Sequence, residues 1–295
     1  LSDEQLQIIE QHALQRNKSK EDKERKISYD LGEDDAISFT GYYGRDVFAY
    51  ANDFQFDWGN LSTSLVWNHA FGDKLTQNTS AFYTRYSYEV GSDPVFNVRS
   101  DINNTGLNID YEYLLNEKHK LRFGLQSTYY DILPGGITGE ALNDSTLDRQ
   151  YGLEVNPYIA DEFKVSDRIT VLAGLRYSNY FNFGKDQISI YPEDQPKNED
   201  TEIRVEEYGA GELIQYYGGF EPRLAMNYSI DSSSSIKLGY NRTRQYIHLI
   251  SNTSNGLPID AWKISSKNIK PVVSDQVSMG YFRNFKDNTY ETSAE

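Results

Sequence analysis

The lengths of the connections constrain this chain most. From about residue 30 onward, long alternating segments are joined by connections that run short, long, short, long. The short ones are 72–74, 116–119, 166–168, 231–234 and 286–288; the long ones lie near 44–55, 92–101, 132–148, 184–214 and 251–274. Tight turns at one membrane surface and long loops at the other are the wiring of an outer-membrane β-barrel. A soluble sandwich has no comparable reason to sort its loops by length.

The segments between these connections alternate with period 2, which places each set of side chains on one side of a sheet. In 104–113, Thr105, Leu107, Ile109, Tyr111 and Tyr113 oppose Asn104, Gly106, Asn108, Asp110 and Glu112. In 121–130, Leu121, Phe123 and Leu125 oppose Arg122, Gly124 and Gln126. In 169–183, Ile169, Val171, Leu175, Tyr177 and Phe181 share one face. Ordinary soluble strands run about 5–6 residues, whereas a tilted membrane strand needs roughly 9–11. The runs 102–115, 149–163 and 169–183 reach or exceed that length. About eleven strands are expected, from 36–43 to 289–295, and they read better as a piece of a large barrel than as a complete small one.

Two segments change parity. Phe54, Phe56 and Trp58 are even while Leu61, Leu65 and Trp67 are odd; Ile236, Leu238 and Tyr240 are even while Ile247 and Leu249 are odd. One inserted residue swaps faces, so bulges or irregularities are expected near Gly59 and within 241–245. Without the second, Arg242 and Arg244 would point into lipid. The run 75–90 alternates poorly, with Arg85 and Glu89 opposite Phe82, Tyr86 and Tyr88.

Residues 1–30 differ from the rest. Leu6, Ile9 and Leu14 form a weak helical stripe, and Arg16 to Lys26 is dense in charge. A solvated helix or charged segment within a loop is expected there, with a partial barrel over 31–295. The open-ended final run suggests an internal piece of a longer chain.

Composition narrows the function classes. The net charge of −15 disfavours nucleic-acid binding. No Cys is present, so thiolate catalysis and Cys-based metal sites are excluded. A mean hydropathy of −0.68 is polar, but only every second residue of a barrel strand meets lipid. The 24 Tyr and 14 Phe suit aromatic girdles at two interfaces. A Tyr-rich soluble β protein would share this composition.

Little in the sequence carries catalysis. His12, His69, His119 and His248 lack the spacing of a zinc site. No nucleophile elbow, phosphate loop or dinucleotide fingerprint occurs. The acidic stretch 193–212 offers oxygen ligands without Ca²⁺-loop spacing, and a solvated outer loop accounts for it. No catalytic residue, metal site or cofactor is assigned. The inward polar set is the more plausible functional surface: Asn108, Asp110, Glu112, Arg122, Glu154, Arg176, Glu221, Arg223, Lys237 and Asn241. Such residues filter solutes in an open pore or hold a plug in a closed one; strand-to-strand pairing also accounts for them. Tyr216, Tyr217 and Trp262, on or beside long loops, are candidates for stacking on a substrate ring. Tyr246 is expected in the interfacial girdle.

The C-terminal third carries a recognisable pattern: Phe220-Glu221-Pro222-Arg223-Leu224, then the run 235–253 with Gly239-Tyr240-Asn241-Arg242, then Pro258-Ile259-Asp260-Ala261-Trp262 and Gly280-Tyr281-Phe282-Arg283. Upstream, Gly41-Tyr42-Tyr43-Gly44-Arg45-Asp46 and Trp58-Gly59-Asn60 fit the same group. The pattern resembles the barrel domain of TonB-dependent outer-membrane receptors. The resemblance implies an all-β, antiparallel transmembrane barrel of 22 strands, of which this chain supplies about half. It implies the Gram-negative outer membrane and energised uptake of an iron chelate, a corrinoid or a glycan. Implied partners are TonB, through a region outside this chain, outer-membrane lipid and, in glycan importers, a surface lipoprotein lid. A passive porin-like channel and a soluble secreted binding protein stay open as alternatives.

Overall fold

The computed structural model describes residues 17–50, 54–92, 96–138, 145–146, 148–250, 261–286 and 289–295. Its strands are β1 Asn17–Asp30, β2 Asp35–Tyr50, β3 Phe54–Ala70, β4 Leu75–Ser92, β5 Phe96–Leu114 and β6 His119–Thr138. Then follow β7 Ser145–Thr146, β8 Gln150–Ser166, β9 Ile169–Phe183, β10 Asp186–Ile190 and β11 Arg204–Tyr208. The last are β12 Leu213–Ser229, β13 Ser234–Gln245, β14 Ile247–Ile250, β15 Ala261–Ile264, β16 Val272–Phe285 and β17 Tyr290–Ala294.

One antiparallel sheet runs β1-β2-β3-β4-β5-β6-β8-β9-β12-β13-β16-β17, with β7 attached to β6. Two further pairs, β10-β11 and β14-β15, stand apart from it. Neighbours in the sheet are neighbours in sequence, as in an up-and-down barrel wall. The short turns at 72–74, 116–119, 166–168 and 231–234 fall where expected, 32–34 adds one between β1 and β2, and 287–288 of the last expected turn lie outside the described residues.

The register sorts the side chains into two faces. Leu107 pairs with Ala81 and Ser127, and Ile109 with Thr79 and Leu125. Farther along, Ile159 pairs with Leu175, and Leu224 with Ala173 and Tyr240. These residues form an apolar outward band, and Leu65, Leu107, Ile159, Leu175 and Leu224 are all exposed on it. Aromatic pairs flank the band: Tyr111 stacks on Phe123 at 5.3 Å, and Tyr177 meets Phe220 edge-on at 4.9 Å. Among the described residues no segment packs over this band, and an apolar band of this kind suits contact with a bilayer.

Three expectations are corrected by the register. Residues 17–30 form a strand, not a helix or loop: β1 pairs with β2 without interruption from Asn17↔Ala49 to Asp30↔Ala36. A charged sequence suits a strand at the edge of the described sheet; residues 1–16, which carry the weak helical stripe, lie outside the described residues. The long connections near 44–55 and 92–101 are mostly strand, because β2 to β5 continue to Tyr50, Phe54, Ser92 and Phe96. β5 and β6 reach 19 and 20 residues, about twice what a crossing needs, so the wall projects well beyond the apolar band.

No bulge occurs at Gly59 or within β13, although β13 loses its β12 partner beyond Asn241. Gly59 pairs with Arg45 and Ser87 in unbroken register, and β13 runs in register with β16 from Ser234 to Gln245. The parity change marks a change of surroundings. Beyond the apolar band, the even residues Phe56 and Trp58 pack inward on Tyr88, Val90 and Val98, while odd residues such as Asp57, Arg85 and Arg99 face water. The poorly alternating run 75–90 crosses this boundary, and β4 is continuous through it. Arg242 stays on the outward face. Its guanidinium donates twice to Asp275, at 2.7 and 2.8 Å, and Tyr240 donates to the same carboxylate at 2.8 Å.

Candidate functional site

All ten polar residues singled out above lie on one face of the sheet. Asp110 pairs opposite Gly124, Glu112 opposite Arg122, Arg176 opposite Glu221, and Arg223 opposite Asn241. They form two groups. Toward the short turns, Glu112 accepts from Lys120 at 2.7 Å and Arg122 at 3.1 Å, and Asp110 accepts from Tyr158. Asn108 donates weakly to Ser80 at 3.4 Å, and Lys237 lies over the Phe282 ring at 4.4 Å. These are mainly contacts between neighbouring strands.

Toward the long loops, Arg176 lies between Glu154 and Glu221, 3.8 and 3.7 Å away. Glu154 also accepts from Tyr130 at 2.6 Å and from Asn156 at 2.9 Å. Glu221 is 2% exposed, and its other oxygen accepts the Arg244 backbone N–H at 2.8 Å. The reason is a split in the wall. Pairing between β12 and β13 stops at Arg223↔Asn241. Above it, Glu221 takes the free N–H, and the Arg244 guanidinium donates to the Phe220 carbonyl at 2.9 Å. That guanidinium occupies the space beside Gly219, where it would clash with an added Cβ.

At the top of this split the chain turns inward. β13 ends at Gln245, and Tyr246, 1% exposed, stacks on Tyr180 with rings 4.4 Å apart and 6° from parallel. Its hydroxyl shares a 2.7 Å hydrogen bond with Ser178. β14 and β15 then form a hairpin against the inner face, where β15 packs on β5, β6 and β8. Ile102, Ile132, Tyr180, Tyr246 and Ile264 make a buried core, with Tyr130, Tyr217, Ile247 and Trp262 around it. Tyr180 donates to the Ser265 carbonyl at 2.9 Å, Tyr217 to Ser266 at 2.8 Å, and the Gln150 amide oxygen accepts Ile264 N–H at 3.1 Å.

A second set of contacts ties 265–270 to β10-β11. Lys267 donates to Glu206 at 2.7 Å and to Tyr208, and Arg204 donates to Glu206 at 2.6 Å. Lys267, then Tyr208 and Arg204, hold the Glu206 carboxyl down to about 2, and Glu206 raises Lys267 in return. Lys197 donates to the Asn268 carbonyl at 3.0 Å, and Asn268 donates to Ser189 at 2.9 Å. Burial lowers His248, whose Nε2 lies 2.9 Å from the Ser265 hydroxyl.

This geometry revises the aromatic candidates. Tyr216 faces outward: it pairs opposite Phe181, with rings 5.1 Å apart, and donates to Asn179 at 2.9 Å. Tyr217 and Trp262 face inward, but both pack within the hairpin core. Tyr246 is a buried anchor and not an interfacial girdle residue. Tyr180 and Ser178 were missed. The available signal was apolar residues at even positions, such as Ile102, Ile132 and Tyr180, where the face is otherwise polar. Among the described residues, no group of three or more His, Cys, Asp or Glu could hold a metal ion.

The family described as TonB dependent receptor-like, beta-barrel matches residues 11–294. This chain belongs to that family. Its TonB-dependent receptor barrel is an outer-membrane structure, and the apolar outward band is its lipid surface. Among solved structures, the alcaligin outer-membrane receptor FauA of Bordetella pertussis superposes with a TM-score of 0.66 at 12% identity, covering 94% of this chain and 42% of that one. A double mutant of the Serratia marcescens hemophore receptor HasR, in complex with HasA and heme, gives 0.65 at 12% identity, covering 91% and 42%. The Pseudomonas aeruginosa receptor FpvA bound to heterologous pyoverdines gives 0.65 at 11% identity, covering 94% and 41%. No curated protein matches the chain. The chain therefore spans about two fifths of these receptors.

Proposed function

We propose that this chain supplies part of the wall, and one inward-folded loop, of a receptor for energised uptake of a scarce solute across the outer membrane. The observation that carries the reading is the receptor-barrel match over residues 11–294. Iron chelates, corrinoids and glycans are the solute classes the resemblance implies, and relatives named for alcaligin, heme and pyoverdine make an iron chelate the first to test. TonB supplies the energy through a part of the protein outside this chain. Asn108, Asp110, Glu112 and Arg122 line the inner wall toward the short turns, where they would hold a plug. Glu154, Arg176 and Glu221 underlie the hairpin, and Arg223, Lys237 and Asn241 continue the polar face toward β16. In this reading Tyr217 and Trp262 hold the hairpin, and the solute meets the hairpin's outer surface.

A docked hairpin with a buried core favours a gated receptor over a passive channel, because an open pore would present hydrated polar groups there. The test is conductance of the purified full-length protein in planar bilayers, paired with uptake in cells. The expected result is a closed barrel in the bilayer and uptake lost when TonB is deleted. Steady porin-like conductance, with TonB-independent uptake, would replace the reading with a passive channel.

A further inference from the structure

We infer that residues 265–270 clamp β10–β11 and β14–β15 into one lid, so that a contact made on β10–β11 from outside is transmitted to the hairpin on the inner wall. The inference rests on the receptor reading above and deepens it, because it names what moves the gate.

The clamp is gripped from two sides. Toward the wall, Tyr180 and Tyr217 donate to the Ser265 and Ser266 carbonyls, and the Ser265 N–H donates to the Tyr246 carbonyl at 2.7 Å. Toward β10–β11, Lys267 donates to Glu206 and Tyr208, and its ammonium lies 4.9 Å from the centre of the Tyr208 ring. Asn268 donates to the Ser189 carbonyl on β10, and its own carbonyl accepts from Lys197. The segment between these grips is closed on itself. Ser266 and Ile269 exchange backbone hydrogen bonds at 2.9 and 3.3 Å, and Ser265 and Ser266 are buried. A closed, buried turn passes displacement on, because packed elements shift between discrete positions and do not deform continuously.

Each hairpin has a narrow attachment on which to swing. β10–β11 pairs with no strand of the main sheet among the described residues. It joins β9 and β12 through a neck at Gly184, Gly209 and Gly211, where the Gly184 N–H donates to the Glu212 carbonyl at 2.8 Å and the Gly211 N–H to the Gly184 carbonyl at 2.9 Å. Gly211 takes a left-handed φ of 75°, and an added Cβ at Gly184 would clash with the Gly209 carbonyl. The two chain crossings therefore touch, as a hinge of a few residues requires. β14–β15 also stands apart from the main sheet. It leaves β13 where pairing with β12 has already stopped, at Arg223↔Asn241, and the chain rejoins the wall at Val272. Undocking it breaks the core around Tyr246 and Ile264 without unzipping the wall. A ligand that grips β10–β11 shifts docking by its difference in affinity for the two positions of the lid.

Pulsed electron resonance between paired spin labels tests the clamp in the full-length protein in lipid nanodiscs. The 295 residues contain no Cys, so Ile203→Cys beside β11, Leu249→Cys on β14 and Leu115→Cys in a short turn place labels at chosen, exposed sites. With Leu115 as the fixed reference, each of the other two should give a single narrow distance. Tyr246→Ala, which undocks the inner hairpin, should lose the narrow distance of both pairs. Lys267→Ala combined with Asn268→Ala leaves the inner core intact and should lose it for the β10–β11 pair alone. A β10–β11 distance that stays narrow in the Lys267/Asn268 variant, or in Tyr246→Ala while the hairpin moves, would overturn the inference. The labels report coupling without uptake. Steady porin-like conductance would sink the receptor reading, while linked distances would still uphold the clamp.

Discussion

Tyr246→Ala removes a fully buried ring from its stack on Tyr180. Truncating a buried aromatic side chain costs about 3–5 kcal/mol, which here falls on docking of the hairpin and not on the wall. Limited proteolysis should cut the variant between β14 and β15 while the barrel stays folded. Tyr246→Phe, which loses only the Ser178 hydrogen bond, should cost about 1 kcal/mol. The Glu206–Lys267 contact has its own pH window. Glu206 is held at about 2, below its ordinary 4.5, so its contribution is complete above 4.5 and is lost as pH falls toward 2. Lys267 is raised above its ordinary 10.5, so its contribution is complete below 10.5 and is lost only at higher pH. The protection factors for hydrogen exchange at 265–270 should therefore stay high at neutral pH and fall in acid. In Glu206→Gln they should be lower at neutral pH and lose that part of their acid dependence.

At the scale of the strand, adjacent residues have opposite fates. Leu107 lies on the outward band and Asn108 on the inner face. A lysine at the bilayer midplane of the lipid face costs about 2–4 kcal/mol, whereas one on a wet face costs within about 0.5 kcal/mol. Leu107→Lys should lower unfolding stability in lipid vesicles by that larger amount, and Asn108→Lys should leave it nearly unchanged. Equal effects would mean that the faces are misassigned. The same scale explains which readings of the strands succeeded. Period 2 correctly grouped Leu107 with Ile109 and Glu112 with Asp110, because one environment surrounds each face across the membrane. It misled at Trp58 and Leu61, where the surroundings change along a strand whose register does not. Alternation reports the polarity of the medium, and a bulge and a membrane boundary leave the same trace in it.

For the whole molecule, the sheet has two ends. Among the described residues β1 pairs only with β2, and β17 only with β16. Each leaves a row of unpaired backbone groups, which template pairing with other chains and are intolerable in lipid. The 295-residue chain refolded alone in detergent should form heterogeneous oligomers on size exclusion, and the full-length protein should run as one closed species. A monodisperse monomer from the chain alone would show that these edges close on each other.

The sequence by itself determined the strand wiring, the lipid-facing set and the family, because these depend on local periodicity, turn spacing and short motifs. Residues such as Leu175 and Ile159 needed only their parity to be grouped on one face. The inward course of 246–250 and 261–270 was decided by tertiary structure alone. Tyr246 reads as one more interfacial aromatic until Tyr180, sixty-six positions earlier, is brought beneath it. Trp262 likewise reads as a loop ring open to a solute until Ile102 and Ile132 supply the core it packs against. Such contacts join distant parts of the chain with no shared period, so their energy is absent from any local pattern.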